Sequence, residues 1–545
     1  MSENTRRVLT HRISETGKWT KYRLFGAVVA LAGNSLSFEE FRKSFNEPRK
    51  LTDKSFLLGF MKKYVDSYGL IVITDTKVSA VTDHTRTFPI YYANGENEFV
   101  ISNSAEKVRD LADLKDINSE GVQEYLLSGY VHGDRTLFEL LHVMPAGRYL
   151  EFDVEPSKLT IETYFQYFPT GSQNSKLETL IEEFDFLLDE IFAGLSERLR
   201  NTPIFVPLSG GLDSRLILCK LIQHGCERIT AFTYGSRHGH EMKEAKAVSS
   251  KLGVHWISIP SQSKNLRRLY QSTTRKEYAR YADGLHMTPV LLDFEAVYRL
   301  SEEGMFPKGS TIINGYSGDF LFGGHIPETL ALSPSVSGLV EKLTDKNCSN
   351  FKSLKIVDAK KRIQTDLIAR MSNAIGLDES VENYCSLYEW WDWSERQCKA
   401  VINGQRLYEF FDLDWCLPFW DKRLLEFWST VPLHFRLNQV LHLRYLQNYN
   451  YRNAFTHLRS TPGWSRWWRW VPSVGSSLEL IGRPDSKTNF YEYMFYHSDF
   501  NYQLALFGRA EYNKWYKDIR IPRVVPLASM SRLGELGIPY KEYLL

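Results

Sequence analysis

The residues best suited to chemistry gather first in Pro207-Leu208-Ser209-Gly210-Gly211-Leu212-Asp213-Ser214, between an apolar run and the start of a helical pattern. Glycines let a backbone curl closely around phosphates, and free amides at a helix amino terminus attract anions. Ser209 and Ser214 can donate hydrogen bonds to phosphate oxygens. Asp213 would repel phosphate unless a divalent cation stood between them, so it reads as a Mg²⁺ ligand. The string lacks the Gly-Lys-Ser/Thr of a Walker loop.

Such a loop needs a rigid frame. Ile204–Leu208 reads as a buried strand and 213–224 as a helix; Ile229–Thr233, 240–252 and His255–Ile259 continue as strand, helix and strand. This alternation predicts an α/β fold with a doubly wound parallel sheet and a ligand site beyond the strand ends. Before it, residues 22–150 read as short strands (Leu24–Leu31, Leu70–Thr74, Val78–Thr82, Ile90–Tyr92, Glu98–Ser102 and Gly147–Asp153). Helices near 103–113 and 119–128 interrupt them, which suggests an α+β sandwich. The polar stretch Pro169–Lys176 marks a linker and Leu177–Leu199 a helix. The expected domains are 1–168, 177–460 and an aromatic-rich extension, 461–545. Within the extension, 463–472 interleaves Trp and Arg; it suits either an aromatic packing cluster or a surface for a membrane interface or a sugar-bearing substrate.

With 545 residues, 43% apolar and 24% charged, the composition is that of a multidomain globular chain. A net charge of +2 provides no global field for nucleic acid, so an anionic ligand needs a local site. The six cysteines (219, 226, 348, 385, 398 and 416) show neither CxxC spacing nor a disulfide framework. No run reaches the roughly 18 apolar residues of a membrane span, and the opening residues lack a signal core. A reducing cytoplasm is the expected location.

Ser-Gly-Gly-Leu-Asp-Ser resembles the pyrophosphate loop of the ATP pyrophosphatases, which include asparagine, GMP and NAD synthetases. They cleave ATP between the α- and β-phosphates to adenylate a substrate. The stretch Ile312-Ile313-Asn314-Gly315-Tyr316-Ser317-Gly318-Asp319-Phe320-Leu321-Phe322-Gly323-Gly324-His325 is similar to the second motif of asparagine synthetases. The resemblance implies that Asp319 is a second Mg²⁺ ligand opposite Asp213, that Asn314 and Gly315 border the nucleotide, and that Leu208 and Tyr234 flank the base. Ser209, Gly210, Gly211, Ser214 and Arg215 would cradle the phosphates, Arg215 standing where the family most often has serine.

Tyr316 stands where asparagine synthetases usually carry glutamate, and where the related β-lactam synthetases, which close a ring by intramolecular amide formation, carry tyrosine. It is expected to act as acid or base, for which a phenol of pKa about 10 needs help from a carboxylate or cation. Glu395 is a candidate partner; its other reading is a solvated helix charge. Leu417-Pro418-Phe419-Trp420-Asp421-Lys422 resembles a further family stretch, and Arg459 is the nearest substitute for the family's pyrophosphate-binding lysine.

Residues 83–92 and 125–147 resemble the Ntn-type glutaminase domain of the same enzymes, whose nucleophile is an amino-terminal cysteine with its α-amine as base. This chain begins Met1-Ser2 and has no cysteine before Cys219. Serine is far less acidic, and Glu3-Asn4-Thr5 lacks the family's Gly-Ile continuation, so the domain is expected to be degenerate and structural, shaping the cleft or a homodimer.

The resemblance implies an amidotransferase-type ligase that adenylates a carboxylate with ATP·Mg²⁺, releases pyrophosphate and lets ammonia or an amine attack. Such chemistry rests on positioning and charge neutralisation. Chains of this layout look like those encoded among bacterial surface-polysaccharide genes, which suggests a sugar carboxylate as acceptor. The alternatives are asparagine synthesis from ammonia, β-lactam-like ring closure and a catalytically silent nucleotide-binding scaffold. Without a glutaminase, ammonia would come from solution or a separate enzyme. The purified protein is therefore expected to release no glutamate from glutamine; release that persists in Ser2→Ala would reveal a different nucleophile.

Overall fold

The computed structural model describes residues 8–13, 18–33, 38–64, 67–96, 98–235, 240–261, 263–351, 360–369, 380–456, 505–506 and 525–544. Arg459, Ser2 and the segment 463–472 lie outside these residues. Among the described residues no helix is long and apolar enough to cross a membrane.

The amino-terminal strands are β1 (Val8–His11), β2 (Trp19–Leu24), β3 (Ala27–Gly33), β4 (Tyr68–Ile73), β5 (Lys77–Thr82), β6 (Tyr91–Asn94), β7 (Glu98–Ser102), β8 (Leu141–Val143), β9 (Arg148–Asp153) and β10 (Lys158–Thr163). They form a sheet of four, ordered β1-β7-β6-β8, and a sheet of six, ordered β10-β9-β5-β4-β3-β2. Alternation along each strand decides which face is buried where. Ala30, Ile71, Val78 and Phe152 of the larger sheet meet Tyr92, Phe99 and Ile101 of the smaller in one core. Phe99 and Phe152 stack there with centroids 4.1 Å apart. The intervening residues Val29, Leu31, Leu70 and Val72 face the other way, under Phe41, Phe45, Leu57 and Phe60 of the helices Phe38–Ser44 and Lys54–Met61. Helices Ala105–Leu111 and Ser119–Ser128 cover the outer face of the small sheet. The result is a helix–sheet–sheet–helix sandwich. One expected strand, Leu24–Leu31, is instead a hairpin: Phe25 and Gly26 adopt φ of 51° and 83°, which turns the chain back on itself.

The second part is built on a parallel sheet: β11 (Ile204–Pro207), β12 (Ile229–Gly235), β13 (His255–Pro260), β14 (Thr311–Ile313) and β15 (Asp414–Cys416). Its order is β13-β12-β11-β14-β15, with every pairing parallel. Ile204, Phe205 and Val206 are buried, as a central strand covered on both faces requires. The 22-residue helix Leu177–Arg198 turns Leu180, Phe184, Leu188, Ile191 and Leu195 toward the same core. The stretch expected as a linker is pinned to this core: the amides of Thr170 and Gln173 donate to the carbonyls of Ser429 and Thr430 at 2.7 and 2.9 Å.

The two parts are joined by buried polar contacts. Arg86 donates to the Cys398 carbonyl (3.1 Å), Arg406 to that of Thr87 (2.8 Å) and Trp393 Nε1 to that of His84 (3.1 Å). The helix Val525–Glu535 closes the assembly, placing Leu527, Met530 and Leu533 against Val122 and Leu126. Its Arg532 donates to Asp283 Oδ2 at 2.6 Å. Burial pushes the Asp283 carboxyl up to about 6 even with this cation beside it. Arg532→Ala is expected to destabilise the protein by about 3–5 kcal/mol, because a buried carboxylate loses its partner. The double variant Asp283→Asn/Arg532→Met should lose less; an equal loss in thermal denaturation would show the two groups to be uncoupled.

Candidate functional site

Strand order reverses between β11 and β14, so the loops leaving them diverge and a crevice opens at their carboxyl ends. Beyond β11 the chain turns through Ser209–Gly211 into the helix Leu212–Gln223, whose amino end carries no side-chain cap. Its first amides are left for a ligand. The serines preshape this turn: Ser209 Oγ accepts the Gly211 amide at 3.0 Å, and Ser214 Oγ accepts the Ser209 amide at 3.2 Å. Leu208 is held by Phe232 and Thr233, its amide donating at 2.8 Å and its carbonyl accepting at 2.7 Å.

Of the residues expected on the nucleotide side, Leu208, Ser209, Gly211, Asp213, Ser214, Tyr234, Asn314 and Gly315 line one cavity of about 240 Å³. Arg215 does not. It is buried behind the turn, donating to the carbonyls of Gly210 (2.6 Å) and Ala454 (3.3 Å) and pairing with Glu244 at 3.3 Å. The helix places residue 215 on the side facing the core, so Arg215 braces the turn from behind rather than reaching phosphate, and Gly210 contributes the carbonyl it holds.

Asp213 and Asp319 face the same cavity. Two glycines make this approach possible: a Cβ at Gly318 would lie 2.5 Å from Asp213 Cγ, and one at Gly315 would lie 2.9 Å from the Asp213 backbone. Burial, and then the neighbouring Asp319 charge, push the Asp213 carboxyl up to about 8. Asp319 keeps 61% of its side-chain surface open, and it borders the cavity. A pair of carboxylates beside a turn with uncapped amides is an arrangement that a divalent cation relieves, and the oxygen donors suit Mg²⁺. Among the described residues no group of three potential metal-ligating side chains exists, so a cation here would draw its other ligands from phosphate and water.

Behind Asp319 runs a chain of charges. His325 Nε2 lies 2.9 Å from Asp319 and its Nδ1 2.7 Å from the buried Asp392. Asp392 is in turn approached by Lys346 Nζ (3.3 Å), Arg396 (3.7 Å) and Gln397 Nε2 (3.1 Å). Burial disfavours charge on Asp392, but His325, Lys346 and Arg396 prevail and hold it far below the usual carboxylate range. Burial opposes ionisation of Asp319 too, and the His325 hydrogen bond overcomes it.

Tyr316 also borders the cavity, but its partner is not Glu395. Its phenol donates to both oxygens of the buried Asp293, at 3.0 and 3.2 Å, and the hydroxyls of Tyr408 (2.8 Å) and Tyr234 converge on the same carboxylate. Burial and the Asp293 charge raise the Tyr316 phenol well above its ordinary value. It is therefore a hydrogen-bond donor held in place, not a base. Glu395 points to the amino-terminal part, bonded to Lys399 at 2.6 Å and accepting the Gly133 amide at 3.1 Å. The divergence follows from the wide π-helical turn Asp392–Val401 that carries these residues. Nothing in the local pattern around Tyr316 signalled Asp293, though an acid inside the apolar run Val290-Leu291-Leu292-Asp293-Phe294 is itself a clue; Asp392, between Trp391 and Trp393, offers the same one.

A second cavity, of about 630 Å³, shares Tyr316, Ser317 and Asp319 with the first and also receives Lys346 and Arg396.

The model of the asparagine synthase family matches residues 195–457, the span that holds the parallel sheet, both carboxylates and Asp293. No curated protein matches the sequence. Among solved structures, the chain is similar to an NH₃-dependent NAD synthetase from Campylobacter jejuni in complex with nitrate (14% identity, 42% of this chain and 96% of that one, TM-score 0.21). It is similar also to glutamine phosphoribosylpyrophosphate amidotransferase from B. subtilis complexed with ADP and GMP (9% identity, 54% and 63% covered, TM-score 0.19). A third is the glutamine-dependent NAD⁺ synthetase from Acinetobacter baumannii in complex with ADP (12% identity, 50% and 64% covered, TM-score 0.19). The chain thus spans less than two thirds of the length of the latter two.

The acidic pair predicts opposite effects on stability and activity. The Asp213 carboxyl is at about 8 in the fold against 3.8 ordinarily, so its ionisation costs stability increasingly from pH ~4 and fully above pH ~8. Asp213→Asn should therefore raise Tm of the ligand-free protein, with a gain that grows up to that pH, while pyrophosphate release is lost. A variant that is less stable at pH 8.5, or one that releases pyrophosphate normally, would contradict this.

Proposed function

We propose that the chain, whose residues 195–457 match the model of the asparagine synthase family, adenylates a carboxylate with ATP and passes the acyl group to ammonia or an amine. One observation carries this reading: the nucleotide-side and second cavities share Tyr316, Ser317 and Asp319, so a carboxylate in the second would face phosphates in the first.

In this reading the adenine base lies between Leu208 and Tyr234. The β- and γ-phosphates meet the uncapped amides at the start of the helix Leu212–Gln223 and the hydroxyls of Ser209 and Ser214, in a turn already shaped before binding. Asp213 and Asp319 would hold Mg²⁺, which when bound supplies positive charge against the phosphate oxygens. His325 keeps Asp319 ionised and oriented. The acceptor's carboxylate oxygen attacks the α-phosphorus, the bond from that phosphorus to the bridging oxygen breaks, and pyrophosphate leaves. The nitrogen nucleophile then attacks the acyl carbon, expels AMP and gives up a proton. Tyr316, fixed by Asp293, presents its phenol at the boundary between the cavities as a positioning group. The amino-terminal sandwich and the helix Val525–Glu535 serve as walls and supports, and nitrogen comes from ammonia that this chain does not itself generate. A sugar carboxylate, the acceptor that the resemblance suggests, would have to find polar partners on the walls of the second cavity.

Exchange of labelled pyrophosphate into ATP is the direct test, since adenylation is reversible while the adenylate stays bound. Exchange should require a carboxylic acid, and ¹⁵N-ammonium should then enter the product. ATP binding without exchange for any acid would instead favour a silent nucleotide-binding scaffold.

A further inference from the structure

We infer that the acceptor is a carboxylate with an apolar body, a hydrocarbon or aryl chain, in place of a sugar or the short polar frame of aspartate; this rests on the amide-forming reading above. The second cavity holds about 630 Å³, room for a small organic acid. Three separate parts of the chain wall it: Gly129 and Tyr130 of the amino-terminal sandwich, Val290–Leu292 ahead of the Asp293 turn, and Val525 and Ala528 of the helix Val525–Glu535. Leu292 leaves 41% of its surface open while lining this cavity. An apolar side chain left open inside a concave site is a wall for an apolar ligand.

Most polar side chains on the wall are already engaged, while the Tyr130 hydroxyl is buried without a hydrogen-bond partner among the described residues. Ser128 Oγ donates to the carbonyls of Glu124 and Tyr130 at 2.7 and 2.6 Å. Thr288 Oγ1 pairs with Ser529 Oγ at 2.7 Å, and Asn350 Nδ2 donates to the Leu126 carbonyl at 3.1 Å. Gln397 accepts from Ser317 at 2.7 Å and donates to Asp392 at 3.1 Å. A sugar, with a hydroxyl on nearly every carbon, would give up more water than these few groups replace, whereas methylene or aryl groups gain by leaving water.

Charge is concentrated at one end. Lys346 and Arg396 both reach Asp392, which is linked through His325 to Asp319 at the boundary with the nucleotide cavity. Lys346 and Arg396 are set against Asp392 and Asp319, so the charged groups of the wall gather at this one end, and the two cations offer donors that a carboxylate can meet. The site is therefore amphipathic: charged near the nucleotide cavity, apolar away from it. Its ligand should share that polarity.

The test measures pyrophosphate exchange with octanoate, phenylbutyrate, aspartate and glucuronate at equal concentration. The two apolar acids should support exchange at least about tenfold faster, a difference of ~1.4 kcal/mol. Leu292→Asp, at a position open enough to tolerate the change, should raise KM for the apolar acid about tenfold or more by placing a charge on the wall, and Leu292→Met should restore it. The KM for ATP reports that the variants remain folded. Faster exchange with aspartate or glucuronate would overturn the inference and leave the amide-forming reading standing, as would an unchanged KM for the apolar acid in Leu292→Asp. Exchange with none of many acids, despite ATP binding, would overturn the reading and the inference together.

Discussion

Two carboxylates that share one cavity repel, and much of the architecture around them serves to hold them there. The reversal of strand order at β11 and β14 brings the two loops to one crevice. Glycines at 315 and 318 let the second loop press against Asp213. Behind Asp319 the charges alternate through His325 and Asp392 to Lys346 and Arg396, so each buried charge has an opposite neighbour. Taking charges out of water is expensive, and such a chain persists only where its geometry is fully satisfied. The large apolar core around the parallel sheet, reaching from Phe184 to Trp428, supplies the rigidity this requires.

The same reasoning applies to the amino-terminal sandwich. Lys399 donates to the carbonyls of Val131 and Gly133 at 2.8 and 2.6 Å, and Arg86 and Arg406 cross the boundary in opposite directions. These are buried polar groups on both sides, and separation would leave each without a partner. The sandwich also contributes Gly129 and Tyr130 to the second cavity.

How legible this was in the sequence depended on how local the determining contacts are. The alternation from Ile204 to Ile259 was readable because each element carries its own periodicity and the glycine turn punctuates it. The Leu24–Leu31 run misled because apolar residues continue through a turn whose only mark is Gly26. Strand β10, half-exposed along its length, offered no burial pattern to detect. The acidic pair was legible from motifs, whereas the partner of Tyr316 was not: Asp293, Tyr234 and Tyr408 meet only because the sheet brings together segments far apart in sequence. Arg215 sits in the right string of residues, yet the helix that the string starts turns it inward.

The widened turn Asp392–Val401 ties these parts together through its backbone register. Asp392 and Arg396 serve the cavity, while Glu395 and Lys399, each one position from a residue that lines it, grip the sandwich. Each residue added to or removed from a helix rotates its remaining side chains by about 100°. Loss of one residue from this turn would swing the gripping pair and the charge chain out of alignment at the same moment. The sandwich and the crevice thus share one short segment, and a change of register that disturbs one disturbs the other.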